Sequence, residues 1–159
     1  MRKDMKTSWQ WLKSLFSRPQ TYLRYRAYPL FAELGSYDLY LLDDRMHERK
    51  FKIGETIFES GYPVEVVYFI RSGEVAQSGV YSSNQERIVS HPQQLGLLDM
   101  FHCEYRSSTA IAKTEVLIDA ISRAELLDYM KARPHCGVKI LEAVCKDFAD
   151  MIFAIAKES

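Results

Sequence analysis

Five of the seven glycines, Gly54, Gly61, Gly73, Gly79 and Gly96, fall between residues 54 and 96 of a 159-residue chain. Glycine reverses a chain at positive φ without steric cost, and reversals this close together leave room only for short segments between them. That spacing belongs to an all-β barrel or jelly roll. Strands are expected over 55–59, 64–71, 74–77 and 87–90, then over 107–112 and 114–121. In the last of these, Val116, Ile118 and Ala120 alternate with Leu117, Asp119 and Ile121, so one face is expected to be more buried than the other.

Helical periodicity replaces this pattern on both flanks. Ser36 is placed to cap a helix running to about Met46, with Leu39, Leu42 and Met46 on one face. Ser122-Arg123-Ala124-Glu125 reads as a capping box, followed by Leu126, Leu127 and Met130, and Pro134 stops that helix. A longer one is expected from about Gly137 to Lys157. Along it Leu141, Val144, Phe148, Met151 and Ile155 recur at steps of three and four, a seam suited to a second copy of the chain, and Ile140, Cys145 and Ile152 widen it. Residues 1–27 form a basic arm: Arg2, Lys3, Lys6, Lys13, Arg18, Arg24 and Arg26 stand against Asp4 alone. On a short helix there, Trp9, Leu12, Leu15 and Phe16 share one face for packing or for docking a partner. Residues 28–159 form the remaining domain.

Several classes of function are excluded. Basic and acidic side chains balance at 21 each, so no global field selects nucleic acid, and the arm has no interleaving of aromatic and basic residues beyond Trp9 and Trp11. Apolar runs such as Val66–Ile70 are far short of the roughly 20 residues of a membrane span. No secretory signal is expected. Cys103, Cys136 and Cys145 are odd in number and lack a CxxC spacing, which suits a reducing cytoplasm. His102-Cys103 and His135-Cys136 are adjacent pairs that supply too few converging donors, so no metal site is expected. Asp43-Asp44 reads as a solvated helix face, and there is no nucleophile elbow, phosphate-binding loop or dinucleotide fingerprint. An enzyme is not expected.

The residues resemble a known family. Pro29-Leu30-Phe31-Ala32-Glu33-Leu34, then Ile53-Gly54-Glu55-Thr56-Ile57-Phe58-Glu59-Ser60-Gly61, then Val67-Tyr68-Phe69-Ile70-Arg71-Ser72-Gly73-Glu74-Val75 are similar, in register, to cyclic-nucleotide-binding domains of catabolite-activator-type regulators and kinase regulatory subunits. The resemblance spans roughly residues 29–155. It implies a mainly β fold with flanking helices: a jelly-roll-like β-roll barrel, helices before it and a long helix after it. No helix-turn-helix is expected to follow.

In that family a short helix and loop grip the cyclic phosphate, and the matching stretch here runs from Leu95 to Ala110. The resemblance puts Gly96, Leu97, Leu98, Asp99, Arg106 and Ser107 at the ligand, with Arg106 in the place of the phosphate-binding arginine. Leu97 stands where the family's glutamate accepts the ribose hydroxyl. Losing that charged hydrogen bond costs about 1.5–3 kcal/mol and stranding the hydroxyl about 1–3 more; taken together as about 3–5 kcal/mol, this is roughly two to three and a half decades of affinity. Asp99 replaces the family's small residue, and its carboxylate is expected to pair with Arg106 in place of a ligand. Pro92 stands where a glycine usually precedes the cassette. The expected function is therefore a signalling adaptor with a degenerate pocket and no cofactor, a homodimer with a protein partner. The alternative is a cAMP or cGMP sensor holding the phosphate through Arg106 and Ser107.

Overall fold

The structure, a computed structural model, describes residues 9–13, 20–79, 86–102 and 104–158. A helical stretch over 9–13 and two 3-10 turns, Thr21–Ala27 and Pro29–Phe31, precede helix α1 (Ser36–Asp43). Eight strands follow: β1 (His47–Phe51), β2 (Thr56–Phe58), β3 (Val66–Ser72), β4 (Glu74–Ser78), β5 (Arg87–Ser90), β6 (Gln94–Leu95), β7 (Thr109–Ala112) and β8 (Val116–Ser122). Helix α2 (Leu97–His102) lies between β6 and β7, and α3 (Arg123–Ala132) and α4 (Pro134–Glu158) come after β8. The chain divides into two compact units, Arg45–Ala132 and the pair of segments reaching up to Asp44 and onward from Arg133.

The Arg45–Ala132 unit holds two antiparallel four-stranded sheets, ordered β1-β8-β3-β6 and β2-β7-β4-β5. They do not close into the expected barrel. Edge strand β1 is one reason: His47, Glu48, Arg49 and Lys50 are all exposed, and charge along an edge discourages further pairing. Between the sheets lies the core, with Ile57 and Phe58 from β2, Tyr68 and Ile70 from β3, Val75, Val89 and Leu95 from β4, β5 and β6, Ala110 and Ala112 from β7, and Val116, Ile118 and Ala120 from β8. The tight reversal from β3 to β4 depends on Gly73 at φ +89, where an added Cβ would collide with the Glu115 carbonyl oxygen. Strand β8 departs from the expected one-sided burial, since Asp119 and Ile121 are buried as well as Val116, Ile118 and Ala120. Arg71 makes this tolerable by donating to both carboxylate oxygens of Asp119 and, at 2.8 Å, to Glu48. The capping box forms as expected: Glu125 N donates to Ser122 Oγ at 3.1 Å, and Ser122 N to Glu125 Oε2 at 3.3 Å.

In the other unit Tyr25, Tyr28, Leu30, Phe31, Leu39 and Leu42 are buried. Ser36 is the first residue of α1, not its cap, and Gly35 occupies the cap position without a side-chain bond. Asp43 is more than a solvated face, for it accepts from Arg24 Nη2 at 3.0 Å and from Tyr25 Oη at 2.8 Å. In the short stretch over 9–13 the aromatic that packs is Trp11, edge-on to Tyr37 at 5.3 Å between centroids. Pro134, which ends α3, opens α4, where its missing N–H is harmless. Helix α4 is amphipathic. Cys136, Ile140 and Val144 are buried, whereas Val138, Leu141, Ile152, Phe153 and Ile155 are exposed. No described helix is long and apolar enough to cross a membrane.

Candidate functional site

Backbone pairing, not side-chain chemistry, positions Arg106. Its N–H donates to Tyr62 O at 2.7 Å and its carbonyl accepts from Gly61 N at 2.9 Å, so the turn before β3 holds it from both sides. The side chain then runs inward and is only 4% exposed. Its Cζ lies 4.3 Å from the centroid of the Phe58 ring and 5.7 Å from that of Tyr68, an aromatic box that stabilises a cation. Nη2 donates to the Val66 carbonyl. Nη1 lies against Gly96, which stands at φ +81 and where any Cβ would strike the guanidinium. Nε and Nη1 have no hydrogen-bond partner among the described residues. Burial pulls the guanidinium below the ordinary arginine value, and Tyr68, Asp99 and Glu65 push it partly back. The chemistry of this arrangement is that of a dehydrated cation with two open donors.

The expected Asp99–Arg106 ion pair does not form. Asp99, 3% exposed, instead accepts from Ser107 Oγ at 2.6 Å and from Ser107 N at 3.4 Å. Arg106 is committed to the Val66 carbonyl and the aromatic box, leaving the next residue to meet the carboxylate on the first turn of α2. Asp99 therefore acts on Arg106 through space only. Leu97, at the start of α2, is buried and offers no polar atom, Gly96 is buried and Leu98 half-buried. Phe58, beneath the guanidinium, also lines an open cavity of about 360 Å³ with Thr56, Ile57, Glu59 and Tyr62. The box residues Phe58 and Tyr68 and the Val66 carbonyl are absent from the site read in the sequence. Their positions are strand positions, and nothing in a strand pattern separates a core aromatic from one stacked on a cation.

The other expected sites are distributed as follows. Of the seam, Leu141 and Ile155 are exposed, Phe148 and Met151 half-buried, and Val144 is buried; Val138, Ile152 and Phe153 are exposed on α4 as well. Of the arm's face, Trp9 and Leu12 are exposed, while Leu15 and Phe16 lie outside the described residues. His102 is exposed and Cys103 lies outside the described residues. His135 and Cys136 meet a third donor, Asp38.

Comparison with known proteins agrees with this fold. A family model described as "Cyclic nucleotide-binding domain" matches residues 48–133. No curated protein sequence matches the chain. Among solved structures, the N-terminal domain of a transcriptional regulator from Streptomyces coelicolor A3(2) is 27% identical over 80% of this chain and 94% of that one, with a TM-score of 0.69. The catabolite activator protein of Thermus thermophilus is 20% identical with a TM-score of 0.68, over 80% of this chain and 62% of that one. The regulatory subunit of a cAMP-independent protein kinase A from Trypanosoma brucei is 20% identical with a TM-score of 0.66, over 80% of this chain and 46% of that one.

Proposed function

The chain belongs to the cyclic nucleotide-binding domain family, and from that premise we propose that it is a regulatory protein whose pocket no longer takes a purine cyclic nucleotide and which acts through protein contacts. Domains of this family are generally regulatory and non-catalytic. The observation that carries the reading is the buried carboxylate of Asp99 on Ser107: an internal anion already occupies the hydroxyl and amide that a cyclic phosphate would use beside Arg106. Leu97 adds an apolar side chain where the ribose needs an acceptor. The trypanosome kinase subunit, described as cAMP-independent, is a precedent for the fold without the cAMP response. Output then passes through the exposed apolar residues of α4, which suit a second copy of the chain, and through Trp9 and Leu12, which suit a further protein partner. Cys136 and Cys145, neither of them in a disulfide, fit a reducing cytoplasm.

A second reading, an anion sensor, draws on a specific feature, the two unpartnered donors of Arg106. Thermal unfolding separates the two. At 100 times Kd a ligand stabilises the fold by about 2.7 kcal/mol, an easily measured displacement. The adaptor reading expects no displacement by cAMP, cGMP or cyclic dinucleotides at millimolar concentration, and a gained response in the Leu97→Glu, Asp99→Ala double variant. A rise in Tm for the unaltered protein overturns it. A double variant that folds yet stays unresponsive removes the role given to Asp99.

A further inference from the structure

We propose that Asp38, His135 and Cys136 form a binding site for a thiophilic divalent metal ion of the zinc class. The three residues come from two helix starts 97 positions apart in sequence, yet their donor atoms lie within 4.8 Å of one another. His135 Nε2 is 3.2 Å from Asp38 Oδ1, 3.3 Å from Oδ2 and 3.2 Å from Cys136 Sγ. An ion at their common centre takes one donor atom from each of the three residues. With zinc bonds of about 2.3 Å to sulfur and about 2.0–2.2 Å to nitrogen and oxygen, the edges of a tetrahedron are roughly 3.3–3.6 Å. The separations from His135 Nε2 to Asp38 and to Cys136 fall within a few tenths of an ångström of those edges, and the Asp38–Cys136 separation is under 4.8 Å.

The surroundings fit the same chemistry. Asp38 lies in the first turn of α1 and His135 and Cys136 in the first turn of α4. Arg133 Nε donates to Asp38 Oδ1 at 2.8 Å and holds the carboxylate in place, the outer-shell support that ligating carboxylates generally have. Cys136 is fully buried and forms the floor, whereas the His135 side chain is 55% exposed and forms the rim, so an ion enters from solvent and water completes the fourth position. A thiolate and an imidazole disfavour magnesium and calcium, which take oxygen donors, and favour zinc or its spectroscopic stand-in cobalt. Adjacent His and Cys residues are too few donors when read in the sequence; the tertiary fold supplies the missing one.

The test is a titration of the full chain, carrying Cys103→Ser and Cys145→Ser so that Cys136 is the sole thiol, with Co2+ and then Zn2+. One equivalent of Co2+ is expected to bind with a thiolate charge-transfer band that Zn2+ abolishes. Cys136→Ser removes the band. His135→Ala, at an exposed position that does not threaten folding, weakens Zn2+ binding by more than the about 10–100-fold typical of outer-shell changes. If Cys136→Ser fails to fold, His135→Ala decides the matter alone. Absence of the band in the single-thiol protein, or an affinity unchanged in His135→Ala, overturns the site.

Discussion

Replacing Arg106 by methionine tests whether this buried cation serves the fold or is retained at its expense. The substitution keeps a long unbranched side chain between Phe58 and Tyr68 and removes every charge and donor. What is lost is one charge-assisted bond to the Val66 carbonyl, about 1.5–3 kcal/mol, and cation–π attraction of about 0.5–2 kcal/mol. Relieved at the same time is the burial of Nε and Nη1, two donors without partners among the described residues, at about 1–3 kcal/mol each. The two sides nearly cancel. The variant is therefore expected to unfold in urea within about 2 kcal/mol of the parent, with an unchanged m value, whereas breaking a buried, fully paired ion typically costs about 3–5 kcal/mol. A destabilisation beyond about 3 kcal/mol refutes the reasoning, because it would mean that the guanidinium is a satisfied structural element. A near-neutral result means that the arginine persists for something other than stability, an anion or an electrostatic role beside Asp99.

The remaining outcomes concern the helices. Ser122→Ala is expected to lower stability by about 0.5–2 kcal/mol through loss of the cap on α3, read from the Tm. Hydrogen bonding from Ser122 holds the Glu125 carboxyl below its ordinary value. The ionised form is therefore favoured in the folded state, and its contribution is full above the ordinary glutamate range and lost as pH falls through the depressed value, so the gap between parent and Ser122→Ala should narrow in acid without closing, since the bond from Glu125 N–H to the Ser122 hydroxyl does not titrate. Phe153→Glu, at a position 68% exposed on α4, is expected to leave the circular dichroism intact while light scattering reports a halved mass. A mass that is unchanged by the substitution, or already monomeric in the parent, removes α4 as the dimer face.

Strands with a buried face were legible in the sequence. β2, β3, β4, β5, β7 and β8 lie within two residues of where the glycines and apolar alternation put them, because a side chain that must leave water leaves a period in the sequence. β1 left none. His47-Glu48-Arg49-Lys50 is exposed at a sheet edge, and its pairing with Ala120, Asp119, Ile118 and Leu117 of β8 is a backbone matter that polar side chains do not advertise. The capping box was legible because all its partners lie within three residues. The Asp99–Arg106 pair was misread for the opposite reason: charge type identified both groups, but Val66, a residue of β3, decided where the guanidinium goes.

Local chemistry thus determined the elements and the family likeness. Tertiary structure alone decided that the sheets stay open, that Asp99 meets Ser107, and that Asp38 meets His135 and Cys136. The physical reason is range. Capping and hydrophobic periodicity act over a few residues and are written in the order of the chain, whereas hydrogen bonds and electrostatic contacts between side chains act over a few ångströms, and which groups come that close depends on packing among segments far apart in sequence.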